Sequence, residues 1–146
     1  MSKETGAPQG EETRSDDEPT VFVVDDNAVG RESLRWLLES AQLRVETYES
    51  GVAFLRQPPL GRSGCVVLDL RMRGMNGLDV EARLAKVAKA RLPVIMISGA
   101  MEESLLGQAL RARAFALLER PFSGRTLLQL VRRALASLDH EPCEMP

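Results

Sequence analysis

Three aspartates occupy places where a folded chain can make them act together. Asp25 and Asp26 end the apolar run Val21-Phe22-Val23-Val24, and Asp69 ends Cys65-Val66-Val67-Leu68. A short Val/Leu run without polar alternation predicts a strand buried on both faces, which is the habit of central parallel strands. In an open α/β sheet ligands bind at the C-terminal ends of the strands, so acids at those ends are well placed to act on a ligand. Two further runs end in groups of the same usefulness. Leu92-Pro93-Val94-Ile95-Met96-Ile97 ends in Ser98-Gly99, and Phe115-Ala116-Leu117-Leu118 runs into Glu119-Arg120. With the strands parallel, Asp25, Asp26, Asp69, Ser98 and Arg120 fall at one edge of the sheet.

Carboxylates gathered in this way repel, each pair at ~4 Å costing on the order of 4 kcal/mol at an effective dielectric near 20. Something positive must neutralise them. Oxygen ligands with room for water suit Mg²⁺, which favours one or two carboxylates together with phosphate oxygens. A metal beside a carboxylate, a hydroxyl and a guanidinium is equipped for phosphoryl transfer, where catalysis is mostly alignment and charge neutralisation. Asp69 would be the nucleophile. It is ionised near neutral pH and needs no general base, so the lack of a nearby histidine is no objection.

The elements that must position these groups follow from the pattern between them. Asn27, or an acid before it, can cap a helix whose apolar face would be Val29, Leu34, Trp36-Leu37-Leu38 and Ala41, ending near Gln42. Arg44 to Tyr48 alternates as a strand, and Ser50 caps a short helix carrying Val52, Phe54 and Leu55 before Pro58-Pro59 stops it. A loop with two glycines, Met72 to Gly77, leads to a helix over Leu78 to Ala90 with Val80, Leu84 and Val87 inward. Met101 to Ala114 predicts another helix, weakened at Gly107. Ser123 to Leu138 predicts a long amphipathic one with Leu127, Leu128, Val131 and Leu135 on one side. Five strands alternating with five helices imply a doubly wound α/β domain with a parallel sheet, since each strand needs a helical crossover to reach its neighbour.

Composition narrows the class. The 146 residues suffice for one domain with a full core, expected over 20–138. Residues 1–19 carry six acids against two bases and no hydrophobic period, the pattern of a disordered leader. Subtracting the leader's −4 from the chain's −2 leaves about +2 for the rest. Residues 139–146 show no pattern and predict a flexible tail. Two cysteines, Cys65 and Cys143, make no disulfide framework or zinc spacing and suggest a reducing cytosol. No run approaches the roughly 20 apolar residues of a membrane span, and Met1 to Pro19 lacks the order of a signal peptide, so a soluble cytoplasmic protein is expected. Scarce aromatics and a near-zero charge do not suit direct nucleic-acid binding, and any DNA contact would come through a partner.

With these residues in view, the chain resembles the receiver domain of bacterial two-component response regulators, from roughly Pro19 to Leu138. The matching pieces are Val-Val-Asp25-Asp26, Leu-Asp69-Leu-Arg-Met-x-Gly-x-Asn-Gly, Ser98-Gly99 and Glu119-Arg120-Pro121-Phe122. Tyr48 to Leu55 is most similar to the nitrogen-fixation regulator (FixJ) branch. The resemblance implies a CheY-like, flavodoxin-like (βα)5 fold with strand order 2-1-3-4-5. It also implies transfer of a phosphoryl group from a sensor histidine kinase or phosphotransfer protein to Asp69. Asp26, Asp69 and the backbone carbonyl of Arg71 would ligate Mg²⁺, with Asp25 acting through a water. Ser98 and the amide of Gly99 would bind phosphoryl oxygens. Output would pass through the face made by the fourth predicted helix, the fifth strand and the last helix to a protein target, as a monomer or a phosphorylation-dependent dimer. The chain reads as a stand-alone receiver that catalyses only its own phosphorylation and dephosphorylation.

Four positions depart from the family pattern. Arg120 replaces a lysine, exchanging a compact point charge for a longer planar fork, which predicts weakened or rerouted coupling to output. Leu117 replaces the aromatic that swings inward on activation. Arg73 replaces a proline, and Arg113 replaces a glycine, so their loops are expected to differ. Pro121 matches the family's cis-proline. Plainer readings stand beside these: Arg120 reads equally as a salt-bridge partner of an acid, and Trp36 and Met72 as packing residues. His140 falls in the tail, and Arg125, Arg132 and Arg133 read as a solvated face or, alternatively, as a partner-binding surface. Other functions remain open. A haloacid-dehalogenase-type phosphatase needs an aspartate where Arg71 stands, and a dinucleotide site needs Gly-x-Gly-x-x-Gly where the chain has Asp25 to Gly30. A degenerate receiver acting by binding alone, or the receiver piece of a longer DNA-binding regulator, also fits the sequence.

Overall fold

The computed structural model describes residues 18–59, 61–87, 92–99 and 114–139. Five strands form one parallel sheet: β1 (Thr20–Val24), β2 (Arg44–Tyr48), β3 (Gly64–Asp69), β4 (Val94–Ser98) and β5 (Ala116–Glu119), in the order β2-β1-β3-β4-β5. Four helices are described: α1 (Ala28–Ser40), α2 (Gly51–Arg56), α3 (Gly77–Val87) and α4 (Gly124–Ala136), the last followed by a 3₁₀ turn at Ser137–Asp139. The helix expected over Met101 to Ala114 falls almost wholly outside the described residues, as do the leader up to residue 17, Arg113 and His140.

The continuous apolar runs are buried on both faces because alternate residues feed two cores. Val21, Val23, Cys65, Val67, Ile95 and Ile97 pack with Leu34 and Leu38 of α1 and Leu127, Val131 and Ala134 of α4. Phe22, Val24, Val66, Leu68 and Met96 pack on the other face with Phe54 of α2 and Val80 and Leu84 of α3. β2 is an edge strand, and its alternating sequence is half-buried throughout. Burial raises the Cys65 thiol to about 12, so this cysteine is a packing residue.

Helix starts are capped by short polar side chains, Asn27 and Ser50 as the sequence implies and Ser123 where the sequence places the first helical residue. Asn27 Oδ1 accepts from the Gly30 amide at 2.8 Å, Ser50 Oγ from Ala53 at 3.0 Å, and Ser123 Oγ from Thr126 at 3.1 Å. α1 ends at Ser40, and Gln42 just beyond it takes a positive φ of 71°.

Three inward assignments are corrected. Val29 and Trp36 are 77% and 74% exposed, and neither belongs to the core face of α1. The cause is helical geometry: Trp36 lies two residues from both Leu34 and Leu38, which puts it on the opposite side from them. Val87, in phase with Val80 and Leu84, is nonetheless exposed at the last residue of α3. Met72 packs against the second core as expected.

One structural pair carries no signal in the sequence. Arg62 grips Glu46 through two bonds, Nη2 to Oε2 at 2.7 Å and Nη1 to Oε1 at 3.2 Å, and its guanidinium lies 5.1 Å over the Phe22 ring. It joins β2 to the loop before β3, and it holds the Glu46 carboxyl below its ordinary range.

Candidate functional site

The strand register brings the acids together. β1 and β3 are neighbours with Val24 opposite Leu68, so Asp25 and Asp69 leave the sheet side by side. Oxygens of Asp25, Asp26 and Asp69 lie within 4.8 Å of one another. Asp25 and Asp69 are buried, Asp26 less so. β4 and β5 complete the edge. Ser98, the last residue of β4, is buried, and its carbonyl accepts from the Arg120 amide at 2.8 Å, which fixes Arg120 beside it.

Arg120 reaches the acids themselves. Its Nη2 stands 3.5 Å from Asp25 Oδ2 and its Nη1 3.8 Å from Asp69 Oδ2, so one guanidinium spans both buried carboxylates. A Cβ on Gly99 would sit 3.6 Å from the same Nη1, so the chain after β4 runs alongside the guanidinium. The Arg120–Pro121 peptide is cis. Leu117 is half-buried against the second core. Arg125, Arg132 and Arg133 are exposed, as the plain reading has them.

Backbone amides hold the remaining carboxylate oxygens. The Asn27 amide donates to Asp25 Oδ1 at 2.9 Å and the Arg71 amide to Asp69 Oδ1 at 3.1 Å. Asp26 Oδ2 accepts twice from Arg73, from its amide at 2.9 Å and its Nε at 3.2 Å. Arg31, one turn into α1, donates to the Asp25 carbonyl at 2.7 Å. Sequence reasoning places neither Arg73 nor Arg31 in the site. The available signal for Arg73 is its position in the loop after the Asp69 strand. For Arg31 it is the first turn of a helix capped just after Asp25.

The environments push the acids in different directions. Burial, then the Asp25 charge, raises Asp69 to about 6, against the opposing pull of the Arg71 amide and Arg120. The Arg73 amide lowers Asp26 below its ordinary value, with the guanidinium adding to it and partial burial opposing. Asp69 is therefore a poorly solvated carboxylate that would profit from a cation.

The donor set fits a hard divalent ion. All three side chains offer oxygen, the preference of Mg²⁺, and their 4.8 Å span is somewhat wider than the ~4 Å between opposite ligands of an octahedral Mg²⁺.

Comparison with known proteins agrees with the fold. Residues 21–132 match the family model of the response regulator receiver domain. The transcriptional regulatory protein TdiR of Thauera aromatica is 40% identical over 124 residues, covering 85% of this chain and 54% of TdiR. FixJ of Bradyrhizobium diazoefficiens is 33% identical over 115 residues, covering 79% of this chain and 56% of FixJ. The crystal structure of FixJ-N superposes with a TM-score of 0.76 at 32% identity, covering 82% of this chain and 94% of that one. The chain belongs to the response regulator receiver family, the signalling domains of two-component systems. It spans about half the length of the curated relatives it matches.

Proposed function

We propose that this receiver is a phosphoacceptor. Asp69 takes a phosphoryl group from the phosphohistidine of a sensor kinase or phosphotransfer protein, in the cytoplasm, and the phosphorylated domain signals through a partner-binding surface. A carboxylate oxygen of Asp69 forms the new P–O bond as the P–N bond to the donor imidazole breaks, and the imidazole nitrogen leaves with the electron pair and takes up a proton. Asp69 needs no base for this, because a group titrating near 6 is mostly ionised at neutral pH.

Asp26, Asp69 and the Arg71 carbonyl would hold Mg²⁺, with Asp25 acting through a water. The ion's contribution when bound is to neutralise charge on the phosphoryl oxygens. The Ser98 hydroxyl and the Gly99 amide bind phosphoryl oxygens, and the Arg120 guanidinium supplies fixed positive charge in the cleft. The observation that carries the reading is the convergence of the Asp25, Asp26 and Asp69 oxygens within 4.8 Å at the C-terminal edge of the sheet.

The test is incubation with acetyl phosphate and Mg²⁺ followed by intact mass spectrometry. Wild type should gain one phosphoryl group and Asp69→Asn none; identical spectra for the two proteins would refute the reading.

A second reading is favoured by Arg120 and Leu117. The Arg120 guanidinium already spans Asp25 and Asp69, a two-point grip that the compact charge of a lysine would not make, and Leu117 stands where the family's switch carries an aromatic. On this reading phosphorylation is coupled weakly to output and the domain acts mainly through protein contacts. Since the match covers only 54% of TdiR and 56% of FixJ, the output proposed for the whole protein includes a DNA-binding partner domain as an alternative to a separate protein target.

A further inference from the structure

Asp26 is the most open of the three acids, and its partner Arg73 is far more exposed than Arg120, the cation that bridges the other two. Arg73 holds Asp26 Oδ2 from two sides, by its amide at 2.9 Å and its Nε at 3.2 Å, yet its side chain is 90% exposed. The two bonds differ in kind. The amide is fixed by the loop, because Gly74 next to it takes a φ of 81°, open to glycine at little cost, and the Met75 amide closes back on the Arg73 carbonyl at 3.0 Å. The guanidinium is tethered only by its own flexible chain. It can swing into solvent while the amide stays in place.

A cation entering the cluster through Asp26 meets this guanidinium first. We propose that Arg73 is a tethered competitor for Asp26 that sets how tightly the acidic cluster holds Mg²⁺. The inference rests on the metal-site reading given above. Arg120 cannot play this part, since it lies deeper, bridging Asp25 and Asp69. Exposed ion pairs are weak, so the competition is mild and fades with salt. A receiver with this residue would load its metal at higher free Mg²⁺ than one with an uncharged residue there.

The experiment measures Mg²⁺ dissociation constants of the full chain by isothermal titration calorimetry at low and high ionic strength. The variants are Arg73→Ala, Arg73→Lys and Arg83→Ala. Arg83 is exposed on α3, so its loss changes net charge by the same amount without touching Asp26. Arg73→Ala should bind Mg²⁺ about 2- to 5-fold tighter at low salt, with a smaller gain at high salt. Arg73→Lys should fall between it and wild type, and Arg83→Ala should match wild type. If wild type binds Mg²⁺ and Arg73→Ala binds it no tighter, or if Arg83→Ala tightens binding as much, the competition is overturned while the metal site stands. If neither wild type nor Arg73→Ala binds Mg²⁺, the inference and the metal reading fall together. Binding by Arg73→Ala alone would support both.

Discussion

Replacing Asp69 with asparagine should make the metal-free protein more stable at neutral pH. Asp69 is buried, faces Asp25, and is raised from 3.8 to about 6 by lost solvation first and the neighbouring charge second. That difference corresponds to about 3 kcal/mol of preference for the protonated form in the fold. Asparagine keeps the shape and removes the charge. That preference already includes the opposing pull of Arg120, whose Nη1 stands 3.8 Å away, so a gain of up to about 3 kcal/mol above pH 7 is expected. Because the folded value lies above the unfolded one, the contribution of Asp69 to wild-type stability is fully present below 3.8 and is lost as pH rises through about 6. The difference between the two proteins should therefore be small near pH 4, grow to about pH 6 and level off. Urea denaturation in EDTA followed by far-UV circular dichroism reads this directly, and Trp36, exposed on α1, is a poor fluorescence reporter. Adding Mg²⁺ should stabilise wild type by mass action and narrow or reverse the order. An Asp69→Asn protein no more stable than wild type at about pH 7.5 in EDTA would refute the reasoning.

Arg120→Ala should lower metal-free stability by about 1 kcal/mol, discounted for its exposure, and millimolar Mg²⁺ should restore part of the loss in the same urea melts. Glu46→Gln should bring Tyr48, held at about 12 by burial first and by Glu46 second, partway back toward 10; absorbance titration of this lone tyrosine is the check. Gly64→Ala should cost about 2 kcal/mol or more in a thermal or urea melt, because a Cβ there would run into the Thr20 carbonyl and the Phe22 ring where β3 starts beside β1.

Much of the site is legible in the sequence for one physical reason. Central parallel strands are buried on both faces, so β1, β3 and β4 appear as unbroken apolar runs, and the polar residue that ends each run marks the edge where ligands bind. Asp25, Asp26, Asp69 and Ser98 follow from that alone. Arg120 can be placed at the edge but not aimed, since a long side chain reaches several partners, and only the fold decides that it spans Asp25 and Asp69. Arg73 is visible as a departure from the family pattern, yet its grip on Asp26 depends on the turn at Gly74, which spacing does not specify. Trp36 misleads for a different reason. Its apolarity suggests burial, although the 3.6-residue period separates it from Leu34 and Leu38. The pairing of Arg62 with Glu46 joins residues distant in sequence that carry no local signal.

The central claim is that three acids assemble one divalent-cation site so that Asp69 can accept phosphorus. Its most direct test is to treat the full chain with acetyl phosphate and Mg²⁺, reduce any acyl phosphate with borohydride, and locate the reduced side chain by peptide mass spectrometry. The account predicts a single mark at position 69 that disappears with EDTA and is strongly reduced in Asp26→Asn. A mark elsewhere, no mark at all, or one at position 69 that EDTA leaves undiminished would contradict it.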